Sequence, residues 1–258
     1  MKTRILLCLL LCSAVLAAGK IQLRYKPEPQ SDWSTSGTLT VKNTVTFPDG
    51  AQTSSTEQYD LAWQDRVVSR DLTGAVVQQR ELKRWSSPGQ ENVLPVLPIG
   101  FQITKFAEQQ VANSTPGALA SSFNQPALYP LTSVAVGESW PVEGNNHAVV
   151  AVGNQSLPVH TRIWGTGTLV AVEGGQAKLE FNLESQALGP RDANGQPQAT
   201  TWASTASNGK VHWTMQVDLA TGVAVKQTTH TTIDQTVVLG SDKVLSHTES
   251  TLNLTTRR

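Results

Sequence analysis

The stretch "VHWTMQVDLATGVAV", residues 211–225, sets out the fold in miniature. Val211, Trp213, Met215, Val217 and Leu219 are apolar and alternate with His212, Thr214, Gln216 and Asp218. A period of two places the apolar set on one face of a strand and the polar set on the other. Asp218 and Gly222 then mark a reversal. The carboxylate can accept hydrogen bonds from backbone amides ahead of it, and glycine enters the left-handed conformation without steric cost. The spacing predicts an antiparallel hairpin with one wet face.

The same device recurs along the chain. In "VVSRDLTGAVVQQ", residues 67–79, Asp71 and Gly74 take the turn positions. Apolar residues alternate at Ile21, Leu23 and Tyr25, at Leu39 and Val41, at Val45 and Phe47, and, after a Pro48-Asp49-Gly50 turn, at Tyr59, Leu61 and Trp63. Thr168–Val172 and Ala177–Leu183 flank a Glu173-Gly174-Gly175-Gln176 turn. Thr229–Leu239 and Lys243–Leu254 flank a turn at Gly240-Ser241-Asp242. That last strand is mostly polar and reads as an edge strand or one facing water. Threonine fills many of the intervening positions, as suits the solvent face of a sheet.

Two stretches break the pattern. Residues 86–100 are interrupted by proline and glycine, and Ile103, Phe106, Ala107, Gln110 and Val111 then fall at helical spacing. With Thr115-Pro116 as cap and first helical residue, a short bent helix is predicted over 102–123. Residues 187–209 read as a long loop. The fold class is therefore mainly β, an antiparallel sheet built from hairpins, as a curved half-barrel or a sandwich, with one helical segment.

The N-terminus points to export. Lys2 and Arg4 precede an apolar run from Ile5 to Leu16, and Ala17, Ala18 and Gly19 follow. This is the layout of a secretory signal peptide, residues 1–19, cleaved after Ala17, Ala18 or Gly19. The run is shorter than the ~20 residues that span a bilayer, and no other run of spanning length follows. Both cysteines, Cys8 and Cys12, lie inside it. A leucine directly before each fits lipid attachment badly. The mature chain, residues 20–258, then has no thiol and no disulfide, and is held by burial alone. It reads as one β-rich domain in two halves, 20–125 and 126–258. Bacterial periplasm or the extracellular space is the expected location.

The whole chain has 20 basic and 20 acidic residues; removing Lys2 and Arg4 leaves 18 against 20. With no basic stripe, nucleic acid is not an expected partner. Nucleophile elbows and phosphate loops are absent, and "GTGTLV" at 165–170 reads as a glycine-bearing strand. The histidines, His147, His160, His212, His230 and His247, form no metal-ligand motif. If the Asp218–Gly222 turn closes, His212 and His230 lie on neighbouring strands near Asp234; they read as strand-face residues, with no metal. Glu180 and Glu184 share one outward face. No catalytic residue and no cofactor emerge.

In "LYPLTSVAVGESWPV", residues 128–142, Pro130, Val134, Val136, Gly137, Glu138 and Trp140 resemble the Pro-x-x-x-Val-x-Val-Gly-Asp-x-Trp segment of a bacterial exported family of uncharacterised function. Glu138 stands where the family more often has Asp. The resemblance implies an exported β-rich protein and carries over no catalytic residue. From the residues alone, Gly137 permits a tight backbone, Glu138 can satisfy turn amides, and Trp140 can plug the core.

The remaining candidates for ligand contact are tryptophans: Trp140, Trp164, which shares a strand with threonines, and Trp202 in the long loop. The functional expectation is a monomeric, non-enzymatic exported protein binding an apolar ligand such as a lipid, or another envelope component. The alternatives are a secreted hydrolase with an unfamiliar site, and an envelope assembly protein pairing through residues 243–254.

Overall fold

The structure, a computed structural model, describes residues 19–86, 98–111, 125–152, 155–188, 202–239 and 242–258; residues 146–152, 155–160, 188, 202–206, 237–239 and 242 are described by their backbone alone. The strands are β1 (Asp32–Thr46), β2 (Gln52–Arg70), β3 (Val76–Ser86), β4 (Ile99–Ile103), β5 (Gln109–Val111), β6 (Ser139–Val152), β7 (Gln155–Glu173), β8 (Gln176–Leu188), β9 (Trp202–Asp218), β10 (Ala224–Leu239) and β11 (Asp242–Arg257). All belong to one antiparallel sheet, not closed, in the order β5-β4-β3-β2-β1-β11-β10-β9-β8-β7-β6. Two meanders therefore meet where β1 pairs with β11, from Ser34↔Arg257 to Thr46↔Leu245. Both halves of the sequence contribute strands to this one sheet.

The turns form for the reasons their residues give. Asp71 Oδ1 accepts from the amides of Thr73 (2.8 Å) and Ala75 (3.0 Å), and Gly74 has φ +85°. Asp218 does the same for the amide of Ala220 (3.1 Å) and the hydroxyl of Thr221 (2.6 Å) before Gly222. Gly174 and Gly175, at φ +56° and +78°, form the two-residue loop between β7 and β8, the glycine-favoring hairpin geometry whose twist matches the strands.

The sheet bends around the segment before β1. The amide of Tyr25 donates to Lys105 O (2.9 Å) in the β4–β5 turn, and the next amide, Lys26, donates to Thr221 O (2.7 Å) in the β9–β10 turn. In a flat sheet those turns would stand about six strand spacings apart, roughly 29 Å at ~4.8 Å each. Adjacent residues cannot bridge that distance. Residues 125–138 reinforce the link: Tyr129 N donates to Phe106 O (2.9 Å), and Ile21 and Val134 exchange backbone bonds.

Inside the bend lies one apolar core. Leu61, Trp63 and Val67 of β2, Val76 and Leu82 of β3, and Ile99, Phe101 and Ile103 of β4 meet Leu169 of β7, Leu179, Phe181 and Leu183 of β8, and Met215 and Val217 of β9. These are the alternating positions of the sequence, turned to one face.

Three expectations change. The helix predicted over 102–123 does not form over 102–111, where β4, a turn and β5 stand instead; residues 112–123 lie outside the described residues. Ala107, at φ +59°, sits in that turn, and its amide donates to Thr104 O (2.9 Å). Of the residues at helical spacing only Ile103 and Ala107 are buried, while Phe106 and Val111 are half-buried and Gln110 is exposed; the spacing arises by chance across the turn. Second, residues 243–254 are not an edge. They lie in β11, paired with β1 on one side and β10 on the other. Third, the loop expected over 187–209 yields its ends to β8 and β9, so Trp202 is the first residue of a strand.

Candidate functional site

The alternation that fills the core continues beyond it. On the inner face, Leu39, Tyr59, Leu252, Val211, Trp213 and Ile163 form a partly buried layer packed on the core. Past this layer the inward positions are mostly small or polar, with Val41, Val45 and Ile233 among them. Register carries Asn43 of β1 to Thr248 of β11, then to Ile233 of β10 and Gly209 of β9. Gly209 continues to Ser185 of β8. The inner face thus has a packed end and a less buried end of mixed small, polar and aliphatic side chains.

Trp213 sits at the boundary. Its ring lies 5.5 Å from that of Phe181, tilted by 43°. Its indole Nε1 is buried and has no hydrogen-bond partner among the described residues. An indole N–H enclosed in protein ordinarily finds an acceptor. By contrast, Trp63 Nε1 donates to Asp65 (3.0 Å) and Trp140 Nε1 to Leu128 O (2.8 Å).

A second polar feature is enclosed in the core. Asp65 receives Arg80 through two bonds, Nε to Oδ1 at 2.8 Å and Nη2 to Oδ2 at 3.0 Å, with side-chain exposures of 2% and 12%. The guanidinium lies over the rings of Trp63 (4.7 Å) and Phe101 (4.9 Å). Nearby, the buried Tyr25 hydroxyl donates to Gln78 Oε1 at 2.6 Å, and burial pushes its pKa well above the usual phenol range. The bidentate pairing satisfies both ions as a low-dielectric interior demands. A signal for it existed in the sequence: Asp65 and Arg80 interrupt the inward series Leu61, Trp63, Val67 and Val76, Gln78, Leu82.

The remaining candidates are dispersed. Trp140 is buried, edge-on to Phe181 at 6.1 Å. Trp164 is half-buried, paired with Glu184 on the outer face, with Arg162 stacked 5.4 Å above its ring. The Trp202 side chain lies outside the described residues, as do those of His147 and His160, whose backbones face each other across β6 and β7. His212 and His230 are directly opposite, on the outer face, with rings stacked at 6.5 Å. Their Nδ1 atoms bond elsewhere, to Asn182 Oδ1 (2.9 Å) and Thr251 Oγ1 (3.0 Å). Asp234 bonds His247 Nδ1 (2.6 Å) instead. Among the described residues no three His, Cys, Asp or Glu side chains converge as a metal site, and no helix is long and apolar enough to cross a membrane.

The Gly-Glu-x-Trp segment is built as a turn. Gly137, at φ +88°, donates its amide to Leu169 O (2.8 Å), and Glu138 Oε2 accepts from the amide of Ala135 (2.9 Å). That amide and Lys20 hold the Glu138 carboxyl below the usual range. Neither a family model nor a curated protein matches the chain.

Proposed function

We propose that this chain is an exported, non-enzymatic binding protein that holds an apolar molecule bearing a hydrogen-bond acceptor, such as a lipid of the cell envelope, on the inner face of a half-barrel. The observation that carries the reading is the buried, unpartnered indole Nε1 of Trp213, on the layer where the packed core gives way to less buried, mixed side chains. An unmade bond in an enclosed place is costly to folding. A ligand that displaced the side chains enclosing it would bring a carbonyl or carboxylate to that nitrogen, with its apolar body over Val211, Leu252 and Leu39. Export rests on the signal-like N-terminus and on the resemblance at residues 128–142.

The assembly reading through residues 243–254 loses its motive, since β11 is paired on both sides. The test is native mass spectrometry of the purified protein, with indole N–H resonances followed on addition of a long-chain fatty acid. A retained or added lipid that shifts the Trp213 indole resonance supports the reading, as does weakened binding in Trp213→Phe. A protein that takes up no lipid, or one in which Trp213→Phe binds equally well, overturns it.

A further inference from the structure

A second site follows from the direction of the strands. Every neighbouring pair in the sheet is antiparallel, and eleven is an odd number, so the two edge strands β5 and β6 run the same way. They cannot complete the sheet by pairing with each other in the manner of the rest. A strand laid between them would run antiparallel to both.

The space for it exists. A cleft of about 510 Å³ separates the two edges, lined by Gln110 and Val111 on one side, Glu143, Gly144 and Asn145 on the other, and Ile163 behind. Strands are ~4.8 Å apart, a sheet layer is ~10 Å thick and each residue rises ~3.3 Å, or about 160 Å³ per residue. The cleft therefore holds about three residues of extended chain.

The floor of the cleft already shows this mode of occupation. Gln125 exchanges two backbone bonds with Gln109, at 3.1 and 3.0 Å, as an antiparallel bridge to β5. The next residue, Pro126, packs on β6 at Gly144, where an added Cβ would come within 2.5 Å of the proline ring. Residues Glu143–Asn145 of β6, which line the cleft, have no strand on their outer side among the described residues.

The side chains define what would fit. Val142 and Gly144 turn inward beside Ile163, while Glu143 and Asn145 turn outward. Across the cleft Glu108 and Gln110 stand at the outer lip. Glu108 accepts from Gln110 (3.0 Å), and neither glutamate forms an ion pair among the described residues.

We propose that the β6 edge of this cleft binds an extended segment of a partner protein as a strand antiparallel to β6, with apolar residues turned inward and Lys or Arg turned out to Glu143 and Glu108. Backbone bonds to the edge supply affinity, and the alternating side chains supply selectivity.

The test uses the full chain with two fluorescein-labelled peptides, Val-Lys-Val-Lys-Val-Lys-Val and its Glu counterpart, read by anisotropy and by hydrogen exchange. The expected result is binding of the Lys peptide, at least about fivefold weaker binding of the Glu peptide, and slowed exchange at Val142–Asn145. Glu143→Lys should reverse the preference. Glu143→Gln, which keeps the shape of this exposed side chain, should reduce it. The proposal is overturned if neither peptide binds, if both bind equally, if binding leaves the β6 amides unchanged, or if those amides are already protected in the free protein.

Discussion

The hydroxyl of Tyr129 donates to the carbonyl oxygen of Gly222 at 2.6 Å, tying the segment before β6 to the β9–β10 turn. The ring is fully enclosed, and burial pushes its pKa far above the usual phenol range, so it remains a donor at any ordinary pH. Tyr129→Phe keeps the packing and leaves a buried carbonyl unpaired. We expect a loss of about 1–3 kcal/mol, read as a lower urea midpoint with an unchanged slope.

Gly222→Ala should cost more than Tyr129→Phe. Gly222 has φ +72°, and a Cβ there would lie 1.9 Å from Arg24 O, a backbone atom. Backbone strain and displacement of the Tyr25 segment act together. A midpoint above that of Tyr129→Phe would contradict this account.

Gly167 makes room for Trp140. A Cβ at Gly167 would come within 2.7 Å of the Trp140 indole and 2.8 Å of the Phe181 ring. Gly167→Val should therefore expel or tilt Trp140 and break its bond to Leu128 O. Overpacking of this kind costs ~1–3 kcal/mol or more. Near-ultraviolet circular dichroism should weaken with it; an unchanged aromatic spectrum would show that the core absorbs the methyl groups.

The Asp65–Arg80 pair predicts an asymmetry. Arg80→Met strands a buried carboxylate and should cost ~3–5 kcal/mol, whereas Asp65→Leu with Arg80→Met should recover most of that loss. Thermal unfolding of the two variants decides it: a double variant as unstable as the single one would mean the pair does more than neutralise itself.

On the outer face, Asp234 above all, then Glu249, holds the His247 pKa above its ordinary 6.5. A raised folded-state value means the charged imidazole is favoured by folding. Its contribution is complete below ~6.5 and fades as pH rises through the raised value. The site is exposed, so the effect on stability is small and the titration itself is the measurement. Asp234→Asn should bring the His247 NMR midpoint down; an unmoved midpoint would mean Asp234 does not bond it in solution.

Much of the sheet was legible because hairpins are local. Asp71, Gly74, Asp218 and Gly222 each act on residues within four positions, and alternation marks the buried face within a strand. What could not be read is what crosses the chain. The polar face of residues 243–254 suits an edge and equally suits a central strand whose outer side is wet; only the partner β1, about 200 residues earlier, distinguishes them. The hairpin β4–β5 deceived for a different reason: Ile103, Phe106, Ala107, Gln110 and Val111 fall at helical intervals across a tight turn, although only the first and third of them are buried. The enclosed Asp65–Arg80 pair left a trace, two charges at inward positions, whereas the cleft between β5 and β6 depends on the bend and left none.

The pairing of β1 with β11 fixes an order of events. Thr35 and Thr256 share a hydrogen bond across 221 positions of sequence, and the ladder joining the two meanders consists of such distant pairs. A ribosome makes β11 after every other strand of the sheet. Each meander can zip by itself as it emerges, but the centre of the sheet is the last part to be joined. Until then β1 and β10 each present a bare flank of 15 or 16 residues, the kind of surface on which unfinished β proteins aggregate. Both flanks are rich in threonine, with few large apolar residues.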